Sequence, residues 1–141
     1  MFSVKVNQKS RTVLLSIPRQ SGLHKRGIRL ALHDVGAIFG NSIKPLLTTG
    51  VRTGRWYSNL PNRSSAPGEP PQNQSGRLVR SYNYKVASWH HMTVGESTTY
   101  AGFLENGTRK MRPRPHMLVV ANRTAGHVIE MLYRRANEQL K

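Results

Sequence analysis

The chain contains no cysteine, so neither a disulfide framework nor a thiolate metal site is open to it, and its stability must come from packing or assembly. Acidic residues are almost as scarce. Six Asp and Glu stand against 22 Lys and Arg, too few and too scattered in sequence to suggest a paired-carboxylate active site. No apolar run approaches the roughly 18 residues of a membrane span. The opening MFSVKVNQKS lacks the uninterrupted apolar stretch of an export signal, so the chain reads as soluble and not exported. There is no G-x-S-x-G turn, no phosphate-cradling glycine loop, no helix-turn-helix or RNA-binding signature and no internal repeat. These absences argue against an enzyme, and no cofactor is expected.

What remains is a strongly positive chain of 141 residues, the size of one domain, with a formal net charge of +16. Such a field seeks polyanions or acidic protein surfaces. The cations run from Lys5 to Lys141 without a block of five or six, which points to a folded, broadly positive surface and not to a basic tail.

Hydrophobic periodicity divides the chain. Residues 1–20 hold two short stretches of strand character, Val4 to Val6 and Thr12 to Ile17, expected to form an N-terminal β hairpin or an arm that pairs with another subunit. Ile28, Leu32, Val35, Phe39, Ile43 and Leu46 recur at three and four, which predicts a helix from about Leu23 to Leu47. Pro45 disfavours a regular last turn, and Gly36 and Gly40 leave the middle dependent on tertiary packing. Residues 48–76 then lose all period, with four prolines and three glycines before Ser75. A stretch this long is a functional loop or a linker. Arg52, Arg55, Trp56 and Tyr57, followed by Pro67, Gly68, Glu69 and Pro70, favour an interaction loop, because aromatic residues and Arg are enriched at interface cores.

After Gly76, the even positions Leu78, Tyr82, Tyr84 and Val86 predict one strand, interrupted at Arg80, and His90 to Gly95 predicts its antiparallel partner. Adjacent His90 and His91 would face opposite sides of a strand, and His24 and His33 do not share a helical face, so no metal site is expected. His127 and Glu130 lie one turn apart on what reads as a solvated helix face. A short helix over residues 99–106 should stop at Gly107 in a left-handed helical conformation, with Tyr100, Phe103 and Leu104 packing on the sheet. A stiff strap follows, in which Pro113 and Pro115 hold the backbone extended and carry Arg109, Lys110, Arg112 and Arg114 outward. Glu105 is expected to bond to one of these arginines or to a neighbour's. From Met117 a second long helical pattern runs through Ala121, Ala125, Val128 and Leu132 to Leu140. Two long helices, first and last, and a small antiparallel sheet make an α+β domain.

Two stretches carry a resemblance. Ser75, Gly76, Leu78 and Ser81 match a Ser/Thr-Gly-x-Leu-x-x-Ser pattern after a Pro-Gly-rich loop. Tyr100, Ala101, Glu105, Gly107 and Thr108 match Tyr-Ala-x-x-x-Glu-x-Gly-Thr, and Met111, Arg114, Pro115 and Met117 match its continuation before a last helix. In this order and spacing, roughly Leu23 to Leu140 resembles the head-tail joining, or tail-completion, neck proteins of long-tailed bacteriophages. The first 20 residues, His116 at a position where the family often has Phe, and the high positive charge depart from that pattern.

The resemblance implies a structural virion protein at the head-tail interface, present in the host cytoplasm during assembly. Its partners would be copies of itself in a ring, a hexamer by expectation, and the adjacent head connector or stopper and tail terminator or tube proteins. Trp56 and Tyr57 would anchor the next protomer, and the Arg-Pro strap would face an acidic partner ring or the packaged DNA. The competing reading is a non-specific nucleic-acid-binding protein that uses its basic surface and stacks aromatics on bases.

Overall fold

The computed structural model describes residues 3–7, 12–16 and 25–138, with side chains described for 25–135. Two strands, β1 (Ser3–Asn7) and β2 (Thr12–Ser16), precede the long helix α1 (Lys25–Thr48). After the loop come a short helix α2 (Arg77–Arg80), strands β3 (Tyr82–Ser88) and β4 (His91–Glu96), a short helix α3 (Ala101–Asn106) and the long helix α4 (Met117–Glu138). The strands form one antiparallel sheet in the order β1-β2-β4-β3. The N-terminal hairpin thus adds to the sheet of its own chain through β2, with Val13 opposite Val94 and Leu15 opposite Met92.

The α+β arrangement follows from the two periods in the sequence. On α1, Ile28, Ala31, Leu32, Val35, Phe39, Ile43 and Leu47 are buried along one face, and α4 buries Met117, Val120, Ala121, Val128, Met131 and Leu132. The helices pack on each other; α1 also meets β3 and β4, and α4 meets β1 and β2. Two helices therefore cover one face of the sheet, while Asn83, Lys85 and Ala87 of β3 are exposed. Leu47, not Leu46, is the fully buried residue at the end of α1. The helix also runs through Pro45, whose carbonyl accepts from Thr49 N at 2.8 Å. No described helix is long and apolar enough to cross a membrane.

Three local expectations change. The strand anticipated from Leu78 begins at Tyr82, because residues 77–80 form a helical turn with Leu78 turned into the core. Over four residues, periods of 2 and 3.6 place one apolar residue equally well. Gly107 ends α3, but with φ 74° and ψ −179° rather than the left-handed helical values. That region is essentially reserved for glycine, and a Cβ there would lie 2.7 Å from Met111 O. Phe103 points away from the sheet and is 58% exposed, leaving Ala101 and Glu105 as the buried residues of α3.

Gly36 lets the sheet close on α1. The Tyr84 ring sits where a Gly36 Cβ would be, 2.5 Å from it, while the Tyr82 hydroxyl donates to Gly36 O. Gly36→Ala must displace the root of the Tyr84 ring and is expected to cost about 1–3 kcal/mol by overpacking. Urea unfolding of Gly36→Ala, Tyr84→Ala and the double variant should give strongly non-additive losses. Additive losses would refute this contact.

Candidate functional site

The loop between α1 and α2 is hydrogen-bonded to itself along its length. Its carboxylate hub is Glu69, where Oε1 accepts from the Thr53 hydroxyl at 2.6 Å, and Oε2 from Ala66 N at 2.8 Å and Thr53 N at 3.1 Å. These bonds, the Thr53 hydroxyl foremost, hold the Glu69 pKa down to about 2. The limbs are joined again where Arg63 Nε donates to Gly54 O at 2.6 Å and where Ser64 N and hydroxyl donate to Arg55 O. Asn62 bonds Asn73 and Gln74, and Asn73 N closes the loop on α1 at Leu47 O, 2.8 Å away.

Clasping the limbs leaves the tip outward. Arg55 is exposed, Trp56 is 61% and Tyr57 43% exposed, and the Arg55 guanidinium lies 5.3 Å from the Tyr57 ring centroid. Beside the loop, a recess of about 230 Å³ is lined by Leu60, Pro71, Leu78, Tyr100, Leu104 and Arg114.

Two residues expected at a partner interface serve the loop instead. Arg52 is 9% exposed, and its Nη2 donates to Leu46 O at 2.6 Å, where the end of α1 leaves carbonyls without helical partners. Glu69 is spent as the hub. Pro67 and Gly68 are exposed and Pro70 is half-buried. Gly68 N donates to Pro113 O at 2.9 Å, so the loop and the strap are tied together.

Beneath the strap lies a buried ionic knot that sequence reasoning missed. The Glu105 carboxylate reaches across from α3 to the N-terminus of α4, where Oε2 accepts from His116 N at 2.8 Å and Met117 N at 3.1 Å, and Oε1 from Leu118 N at 2.8 Å. It satisfies amides that have no partner within the helix and sets a negative charge at the positive end of its dipole. The His116 ring is 0% exposed and lies between two carboxylates, Nδ1 3.0 Å from Glu105 Oε2 and Nε2 2.7 Å from Glu96 Oε2.

Glu105 therefore bonds no strap arginine. Its partner is the residue that departs from the resembled pattern, and the separation of Glu96, Glu105 and His116 along the chain gave no local signal of their meeting. Two of the six acids do converge, but the ring is sealed from solvent and both of its nitrogens face carboxylates, so this cluster offers no face to a substrate and no lone pair to a metal. Burial alone would push the imidazolium pKa down, yet the bonds to Glu105 and Glu96 outweigh it and raise the pKa to about 10. For Glu105, burial pushes upward, while the bonds to His116 and the backbone amides win and hold it near 2.

The strap spans from Glu105 to His116, so the knot clamps both of its ends. Thr108 N donates to Met111 O at 2.7 Å, Met111 N returns to Thr108 O at 3.2 Å, and Arg114 N donates to Leu104 O at 2.7 Å. Arg109, Lys110 and Arg112 are exposed as expected, whereas Arg114 is half-buried against the recess. Of the motif residues, Gly76 initiates α2, and the Ser81 hydroxyl donates to Leu78 O at 2.8 Å. Tyr100 and Pro115 are half-buried, and Ala101 is 1% exposed.

No family model matches this chain, and neither a curated protein nor a solved structure does.

The knot predicts a bounded pH window. The depressed Glu105 contributes stability that is complete above its ordinary value of 4.5 and lost as pH falls toward 2. The raised His116 contributes stability that is complete below its ordinary 6.5 and lost as pH rises through 10. Stability should be greatest near pH 4.5–6.5. His116→Phe leaves two buried carboxylates without their cation and should cost about 3–5 kcal/mol near pH 6. It should also flatten the alkaline decline in urea melts taken from pH 6 to 10; an unchanged alkaline profile would refute the assignment.

Proposed function

We propose that the chain is a structural subunit of a tailed-bacteriophage virion neck, one copy of a ring that joins the head connector to the tail. The observation that carries this reading is the Arg55-Trp56-Tyr57 tip, two aromatic rings and a guanidinium exposed on a loop whose limbs are cross-linked by hydrogen bonds below them. A tip held in place before contact loses little conformational entropy on docking, and Trp, Tyr and Arg are the residues that dominate interface energetics.

Two further features agree. A closed ring needs a heterologous contact, in which one patch of a protomer meets a different patch of the next. The exposed tip and the 230 Å³ recess provide a projection and a hollow on one chain. The resemblance of residues 75–81 and 100–117 to neck proteins also runs through positions that have structural work here. Glu105 caps the last helix, Gly107 adopts a backbone conformation that needs glycine, and Leu78 enters the core.

The test is the assembly state. Purified chain, alone or with connector and tail proteins, should form rings visible by electron microscopy, and the chain should be found at the neck of intact particles. Trp56→Ala and Tyr57→Ala should each weaken self-association by about 2 kcal/mol, roughly thirtyfold. They should leave the unfolding of the separate protomer within about 0.5 kcal/mol, because the lost surface is exposed. A chain that binds neither itself nor any connector or tail protein, and is absent from particles, refutes the proposal.

A further inference from the structure

We infer that the turn Thr108–Arg112 grips the phosphate backbone of duplex DNA. Three cations, Arg109, Lys110 and Arg112, are exposed within four positions, around a recess of about 380 Å³ that Thr108 also lines. None of the three pairs with an acid among the described residues. Four of the described acids are engaged elsewhere: Glu96 and Glu105 on His116, Glu69 inside the loop, and Asp34 with Arg135 at 3.4 Å, while Glu130 is exposed on α4. The positive field of the turn is thus uncompensated by its own fold.

The turn is also fixed before any ligand arrives. Its ends are clamped by the Glu105–His116 contact, its middle by the paired Thr108 and Met111 bonds, and its exit by Arg114 N on Leu104 O and Gly68 N on Pro113 O. Cations on a fixed turn neutralise a polyanion with little ordering cost.

Composition separates DNA from an acidic protein surface. Protein interfaces have cores of aromatic and apolar residues, and within residues 108–112 none is exposed: Met111 is half-buried, Pro113 is exposed at the edge of the recess, and the exposed Phe103 lies on α3 and Trp56 and Tyr57 on the other loop. A surface dominated by cations suits phosphates, which bind by counterion release without sequence preference. The grip does not depend on the neck proposal. Only identifying its DNA with a packaged genome rests on that reading.

Fluorescence anisotropy of a labelled mixed-sequence duplex against the full chain, over a series of salt concentrations, tests the inference. Arg109→Gln/Lys110→Gln/Arg112→Gln should reduce the magnitude of the slope of log K against log salt by about 2.7 for three lost phosphate contacts. The wild-type affinity should then fall about 40-fold more steeply than the variant's between about 50 and 200 mM salt. The control Arg26→Gln/Arg29→Gln/Lys44→Gln removes the same charge from exposed positions of α1 and should change the slope by less than one. Both variants should unfold and assemble as the wild type does, so loss of the grip is distinguishable from loss of the ring. Equal slope changes in the two variants, or none in the turn variant, would overturn the inference. So would polyglutamate competing as well as DNA charge for charge, or inorganic phosphate binding the turn while the duplex does not bind.

Discussion

The imidazolium of His116, held between Glu105 and Glu96, is the contact on which the upper half of the molecule depends. It joins α3, the end of β4 and the start of α4 at one buried point. Each charge alone would be costly to bury, and the three are tolerated only together, with backbone amides completing the coordination of Glu105. Removing one leaves the others uncompensated. Because Glu105 and His116 also flank the strap in sequence, the same contact closes that strap into a loop with a fixed base.

From this foundation, the two candidate surfaces share a mechanical frame. The strap is tied to the long loop through Gly68 and Pro113, and the long loop is tied to α1 through Asn73 and Arg52. Each tie uses a polar group that would otherwise compete for solvent or for a partner. Glu69, Glu96 and Glu105 are drawn in as acceptors, while Arg109, Lys110 and Arg112 of the strap stay outside. The charge imbalance of the composition is sharpened at the surface because Glu96 and Glu105, two of the six acids, are buried.

This division also separates the two surfaces chemically. The tip of the long loop offers aromatic area beside a guanidinium, suited to a dehydrated contact with protein. The strap turn offers mainly charge and no exposed aromatic, suited to a hydrated polyanion. A chain with both surfaces has separate chemistries for a protein contact and for a polyanion.

The long helices, the antiparallel hairpins and the stop at Gly107 were legible in the sequence, because apolar spacing and glycine tolerance are properties of neighbouring residues. Trp56, Tyr57, Arg109, Lys110 and Arg112 were recognisable as surface residues for the same reason, since composition alone marks a segment as having no core to enter. Only the tertiary structure decided that Arg52, Glu69 and Arg114 turn inward, that residues 77–80 are helical, and that Tyr84 fills the space over Gly36. It alone brought Glu96, Glu105 and His116 together. The identity of a charged residue states what it can bond but not which partner the fold will bring to it, and partners 11 and 20 residues apart leave no period to read.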